Sequence, residues 1–287
     1  MRVKIILAYD GAWFQGWGIQ PDAPTIQGVL EQTLQTITGR LIRTTVAGRT
    51  DTGVHAQGQV VHCDMSEAEW YTFVSDYQDS SEAFIRRVNG LLQLITMQVT
   101  GTKLAKGAIQ IKSVEPVAES FDARFSALWR RYSYTIEDKT TGWNPLNRHC
   151  VLHYRGQLDE NAMNVASQLL LGEHNFIAFC KPRQGATTIR TLQEMYWKRH
   201  DGLLTVHLKA DAFCHHMVRS LVGATLMVGS GEREPKWLYE RLQLQQRNAE
   251  ANIAPGHALV LEEIGYPEEK EWAMRADLTR AKRNFSQ

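Results

Sequence analysis

The chain has 287 residues, 43% of them hydrophobic and 22% charged, with a formal charge of +1. That composition excludes overall disorder, and the length suffices for two domains or one large one around a sizeable core. A net charge near zero does not by itself mark a polyanion binder, and no stretch approaches the 18 or so uninterrupted apolar residues that a membrane span needs.

Val3 to Tyr9 reads as a strand, too short in its apolar run for a signal segment, that opens into a turn at Asp10-Gly11. Thr25 is placed to cap a helix in which Ile26, Val29, Leu30, Leu34 and Ile37 recur at helical spacing, and Gly39 is placed to end it. A strand over about Leu41 to Ala47 follows, then another around Gln59 to Asp64. Ser66 and Glu69 form a capping box before Trp70, Phe73 and Val74. Between Asp76 and Lys106 one helix is predicted, around Glu82 to Leu92, with polar loops on both sides. Alternation at Ile109 and Ile111 predicts a strand, and after Glu115-Pro116 comes FDARFSALWRRYSYTI. As a strand, this would put Arg130, Tyr132, Tyr134 and Ile136 on one face and Arg131, Ser133 and Thr135 on the other.

In the second half Asp159 caps a helix whose Ala162, Val165, Ala166, Leu169 and Leu170 form an apolar stripe, closed by Gly172. Asp201-Gly202 between MYWKRH and LLTVHLKA is the dipeptide that a type I′ hairpin turn prefers. Phe213 to Val228 reads as an amphipathic helix burying Met217, Leu221, Ala224 and Val228. Pro235 starts a short helix, HALVLEEI is a last strand, and the polar tail from Glu268 reads as a partly detached helix. Strand-helix-strand units in both halves, with hairpins and no uniform βαβ alternation, favour an α+β fold over a doubly wound sheet. The expected division is an N-terminal α+β domain at 1–118, a C-terminal one at 119–267 and the tail at 268–287.

Cysteines 63, 150, 180 and 214 are irregularly spaced with no CxxC pair. Neither a disulfide framework nor a zinc motif is suggested, which fits a reducing cytosol. Cys214-His215-His216 with His55 or His62 could be drawn as a metal site, but adjacent residues on a helix point about 100° apart and do not readily share one ion.

The stretch AGRTDTGVHAQGQVVH, residues 47–62, carries the chemistry. Asp51-Thr52-Gly53 alone is the tripeptide of an aspartic protease, which needs two such carboxylates sharing a proton. The chain has no second copy, and Gly48-Arg49-Thr50 is not the apolar strand that delivers a protease aspartate. A single Asp beside Arg49 would instead stay ionised, a nucleophile or a base toward a substrate already bound. The bland alternative is a turn-capping Asp with Arg49 as its salt-bridge partner.

The whole stretch closely resembles the catalytic motif of the tRNA pseudouridine synthases of the TruA family. YDGAWFQGWGIQPDAPTIQGVLEQTL, FDARFSALWRRYSYTI, LLGEHNFIAFC, DAFCHHMVRSLVGATLMVGSGE and APGHALVLEEIGYP are similar to further motifs of that family, in the same order, from Tyr9 to Pro267. The resemblance implies the pseudouridine synthase fold: two similar α/β halves forming a mixed, mainly antiparallel sheet with a central RNA-binding cleft. It implies isomerisation of uridine to pseudouridine in the anticodon arm of tRNA, at positions 38, 39 and 40, without cofactor or metal. Asp51 matches the catalytic aspartate, Arg219 its basic partner, and Tyr132 the tyrosine that lies against the target uracil, with Arg49 in the same motif as Asp51. Arginines clustered at Arg40, Arg43 and Arg49, at Arg86 and Arg87, at Arg124, Arg130 and Arg131, and at Lys181, Arg183 and Arg190 would contact phosphates. A cytoplasmic homodimer, with no membrane partner, is expected on the same ground. A tRNA-binding protein of the same fold without turnover is the alternative, against which the intact Asp51, Tyr132 and Arg219 argue. Two departures stand out: Gly18, where the family's N-terminal motif has a polar residue after Gly-Trp, and unmatched residues between Ser66 and Lys106.

Overall fold

A computed structural model describes residues 1–73, 80–181, 187–244, 246 and 252–281. In chain order the main elements are β1 (Arg2–Tyr9), α1 (Ile26–Thr38), β2 (Thr44–Val46), β3 (His55–Asp64), α2 (Glu67–Phe73), α3 (Ser80–Thr100) and β4 (Ile109–Val117). There follow β5 (Trp129–Glu137), β6 (Leu152–His153), α4 (Glu160–Gln168), β7 (Gly172–Asn175), β8 (Ile189–His200) and β9 (Leu203–Ala210). The chain ends with α5 (Met217–Gly229), α6 (Pro235–Leu242), β10 (Leu259–Gly265) and α7 (Trp272–Arg280). The fold is α+β, and contacts divide it into two compact units: residues 1–128 with 261–281, and 129–260.

In the first unit the strands run in the order β4, β1, β3, with β2 on β3 and both partners of β1 antiparallel to it. Strict alternation along β1 sends Val3, Ile5, Leu7 and Tyr9 into the core. There they join Ile26, Val29, Leu30 and Leu34 of α1 and Phe84, Val88, Leu92 and Ile95 of α3 as fully or almost fully buried side chains. The caps on α1 are those the sequence announces: Thr25 Oγ1 accepts from the Gly28 amide, and Gly39 closes the helix at φ 75°. The capping box on α2 forms in both directions, the Ser66 amide to Glu69 Oε2 and the Glu69 amide to Ser66 Oγ.

The helix predicted at 82–92 is in fact Ser80–Thr100. Its extension past Leu92 is carried by Ile95 and Thr96, both buried. The expected loop at 76–79 lies outside the described residues. The tail is less detached than its composition suggests. Trp272 of α7 is buried edge-on against Phe121, ring centroids 4.9 Å apart, and the Trp272 carbonyl accepts from Ser126 Oγ. Residues 282–287 of that tail lie outside the description.

The second unit orders its strands β5, β9, β8, β7, all antiparallel, with β6 parallel to β5. Sheets of both units are thus mainly antiparallel, and β6 makes the set mixed. The β8–β9 hairpin turns at Asp201 and Gly202, both at positive φ, as an Asp-Gly type I′ turn demands. α4, α5 and α6 pack on one another and α4 packs on β8, and Tyr134, Val206, Leu208 and Trp197 of the sheet are buried. On α4, Met163, Ala166 and Leu170 are buried while Val165 and Leu169 face solvent, so its buried stripe is rotated from the one the apolar residues suggested.

Cysteine spacing also misled. Cys180 and Cys214, 34 residues apart in sequence, come to a Cα–Cα distance of 5.8 Å and are joined as a disulfide. Tertiary folding makes this pair, and spacing carries no trace of it.

Candidate active site

Asp51 opens a tight turn. Its carbonyl accepts from the Val54 amide at 3.2 Å, and Gly53 stands at φ 77°, the conformation that a type II turn reserves for glycine. Two backbone segments hold this turn. On one side, the residue after Gly16 donates its amide, Trp17 N–H to Thr50 O, at 3.1 Å. Gly16, at φ 85°, comes so near that a β-carbon there would stand 3.0 Å from Thr50 O and 3.2 Å from the Asp51 carbonyl carbon. On the other side Gly11 lies against Val54 and Gly53, and its amide donates to His55 Nδ1 at 3.1 Å. Asp51 itself is half-buried on a segment whose next-door Thr50 is buried.

Arg49 is exposed, and its guanidinium lies over Gly18, 3.7 Å from where a β-carbon would be. The residue that departs from the resemblance is therefore the one beneath Arg49.

Aromatic residues of the N-terminal motif are used for packing. Phe14 and Trp17 are buried, and Trp13 Nε1 donates to Asp10 Oδ2 at 3.0 Å. Both histidines of the motif accept backbone hydrogen bonds, His55 from Gly11 and His62 from Ala123. Burial, then the charge of Arg2, push His62 below its usual pKa, which keeps it the neutral acceptor.

Tyr132 and Arg219 belong to the second unit. Tyr132 sits on β5 with its ring edge-on to Phe213, centroids 5.2 Å apart at 88°, and is 8% exposed. Arg130, two residues earlier on the same face, is buried and donates to the Asp211 carbonyl at 2.7 Å. Asp211 Oδ1 in turn accepts from the Thr191 and Ala212 amides, so the loop carrying Phe213 is anchored at its start. Cys214 is tied to Cys180, and the Lys181 amide donates to His215 O, which anchors the loop at its end.

Arg219 lies on the first turns of α5, half-buried, with Nε donating to the Ala254 carbonyl at 2.7 Å. The next carbonyl, Pro255 O, accepts from the Tyr134 hydroxyl at 3.0 Å. Burial raises the Tyr134 pKa, although the positive charge of Arg219 works the other way, so the hydroxyl stays a donor. Gly223 makes the close approach of this segment feasible, since a β-carbon there would stand 1.7 Å from Asn252 O. Tyr134 is thus the core member of the tyrosine pair.

Sequence reasoning named Asp51, Arg49, Tyr132 and Arg219 but missed their supports: Tyr9, Thr50, Gln59, Asp211 and Phe213. The signal for Phe213 and Asp211 was present in their adjacency to Cys214-His215-His216. Nothing local marked Gln59, which is buried on β3, 50 positions from its partner Tyr9, and is distinguished only by being polar where the strand faces inward.

Known proteins resemble this chain along nearly its whole length. A family model described as tRNA pseudouridine synthase matches residues 166–267. The tRNA pseudouridine synthase A of Streptomyces griseus is 44% identical, covering 96% of this chain and 92% of the relative. That of Cutibacterium acnes is also 44% identical, over 99% of this chain and 96% of its own, and that of Streptomyces avermitilis is 43% identical over 99% and 95%. The Asp-Thr-Gly of residues 51–53 is therefore no protease signature. Identity of this size along nearly the whole length of both partners places the chain in the tRNA pseudouridine synthase A family.

Proposed function

We propose that this protein isomerises uridine to pseudouridine in the anticodon arm of tRNA, at positions 38, 39 and 40, with Asp51 as the reacting group. The observation that supports the reading best is the position of Asp51: it opens a glycine-dependent turn clamped by two backbone segments, in a chain 44% identical over 96% of its length to a tRNA pseudouridine synthase A.

The reaction breaks the N1–C1′ bond, turns the base, and joins C5 to C1′; the proton leaves C5 and N1 gains one. Atoms and electrons balance without an oxidant or a cofactor. One carboxylate suffices, adding to the base or sugar or removing the 2′ proton. The target nucleotide must first leave its stack, at roughly a few kcal/mol, least in a loop or at a stem end. Tyr132, its plane fixed by Phe213, offsets part of that by stacking on the uracil, worth about 1–3 kcal/mol. Arg219 is the basic partner of the carboxylate, and Arg49, exposed beside Asp51 in sequence, contacts the tRNA backbone.

No helix among the described residues is long and apolar enough to cross a membrane. The protein acts on tRNA in the cytoplasm, as a homodimer. Carbodiimide mapping of tRNA incubated with the protein tests the positions: reverse-transcription stops should appear one nucleotide 3′ of positions 38–40, and stops confined to other arms would refute the assignment. Sedimentation at micromolar concentration should give twice the 32.6 kDa chain mass, and a monomer would refute the dimer.

A further inference from the structure

Tyr9 is the last residue of β1, and its hydroxyl does not reach solvent. Its ring is 4% exposed and tilted against Trp17, centroids 5.9 Å apart. The hydroxyl oxygen accepts from Gln59 Nε2 at 3.1 Å and shares a second hydrogen bond, 2.8 Å long, with Thr50 Oγ1. Gln59, fully buried, also donates to the Gly48 carbonyl at 2.8 Å and accepts from the Val60 amide at 3.2 Å. Gly48 and Thr50 are the residues on either side of Arg49, and Thr50 leads directly into Asp51. One buried chain of hydrogen bonds, Gln59 to Tyr9 to Thr50, with a branch to Gly48, therefore grips the ascending side of the Asp51 turn from beneath. The descending side is gripped separately, by Gly11 on Val54. In a dry interior such a chain is costly to interrupt, because each member left behind is an unsatisfied polar group.

We infer that Tyr9 is a positioning residue for the isomerisation, its hydroxyl fixing the Asp51 carboxylate through Thr50 and Gln59 without touching the substrate. The inference rests on the proposed reaction. It explains why β1 ends in a tyrosine where its alternation asks only for an apolar residue: a phenyl ring fills the space beside Trp17, but cannot hold Thr50.

Tyr9→Phe keeps the ring and removes the hydroxyl, so it separates packing from positioning. With full-length protein and a tRNA transcript carrying 5-³H-uridine, kcat should fall about tenfold or more, as small misplacements of a reacting group do. The KM and filter-binding affinity for tRNA should stay within about twofold. Thr50→Val should produce the same loss, and the double variant should be no worse than either single one, since both break one chain. Amide exchange read by mass spectrometry gives an activity-independent check: the peptide containing residues 48–53 should exchange faster in Tyr9→Phe, while peptides from α1 and α3 keep wild-type rates. Unchanged kcat with unchanged exchange at 48–53 overturns the role of Tyr9. So do faster exchange across the whole first unit and a proportionate loss of tRNA binding, which would make Tyr9 a general stability residue. A wild type that releases no tritium from any tRNA overturns the proposed reaction instead, and the exchange comparison still decides whether Tyr9 holds the turn.

Discussion

Gly11 lies against Val54 so closely that a β-carbon on Gly11 would stand 2.0 Å from the Val54 carbonyl oxygen. Real β-carbons do not approach backbone oxygen to that distance, so Asp10-Gly11 and the Asp51 turn fit together only with glycine at this position.

Gly11→Ala should therefore destabilise the protein by about 1–3 kcal/mol through forced backbone displacement. It should also cost activity beyond the loss of folded protein, since the displaced segment is the Asp51 turn. Gly90→Ala is the matching control: it sits exposed inside α3 with nothing within 4 Å, and should gain about 0.5–1 kcal/mol. Urea midpoints of the two variants moving in the same direction would contradict this reading.

Asn89 of α3 supplies what the edge strand β4 lacks. β4 slips register against β1, pairing Ile6 with Ser113 and then Leu7 with Ile111. At Ile111 the outward amide donates to Asn89 Oδ1 at 2.7 Å, and the outward carbonyl accepts from Asn89 Nδ2 at 3.0 Å. Asn89→Leu strands both groups and should cost about 1–3 kcal/mol. It also opens the strand edge to other chains, so light scattering on mild heating should rise. A variant as stable and as soluble as the wild type would show that water replaces the amide.

Glu69 should leave its mark on acid stability. Hydrogen bonds, first from Arg40 and then from the Ser66 amide, hold its carboxyl down to about 2 against an ordinary value of 4.5. A depressed folded pKa stabilises the protein above the unfolded value, and that contribution is lost as pH falls from about 4.5 towards 2. Glu69→Gln should flatten the fall in stability within that window and leave the slope above pH 5 unchanged. The same acid slope in both proteins would contradict the assignment.

Cysteine labelling should follow the fold. In native protein handled without reductant, Cys150, which is exposed, should react with iodoacetamide, whereas Cys180 and Cys214 are tied together. Cys63 should stay inert in either state, since burial pushes its thiol up to about 12. Reduction should add labelling at the half-buried Cys214 before the fully buried Cys180. Equal labelling of Cys150 and Cys214 without reductant would refute the pairing.

Much of this was legible because it is local. The caps at Thr25, Ser66 and Asp159, the Asp201-Gly202 hairpin and the inward face of β1 each follow from residues a few positions apart. The Asp51 motif was legible for another reason: its string resembles a family, and physics alone favoured a turn-capping Asp. What stayed hidden is made by distance along the chain. Tyr9 meets Thr50 and Gln59, Asn89 meets Ile111, and Cys180 meets Cys214 only when strands and helices pack. Val165 and Leu169 show the converse error, apolar residues at helical spacing that the fold leaves in solvent, because hydrophobicity does not say which flank of a stripe is covered.

The central claim is that one carboxylate, Asp51, converts uridine in tRNA, and release of tritium from 5-³H-uridine-labelled tRNA measures it most directly. The wild type should release tritium in step with pseudouridine formed, and Asp51→Ala, still folded and still binding tRNA, should release none above background. Equal release by the two proteins, or none by the wild type from any tRNA, would contradict the account.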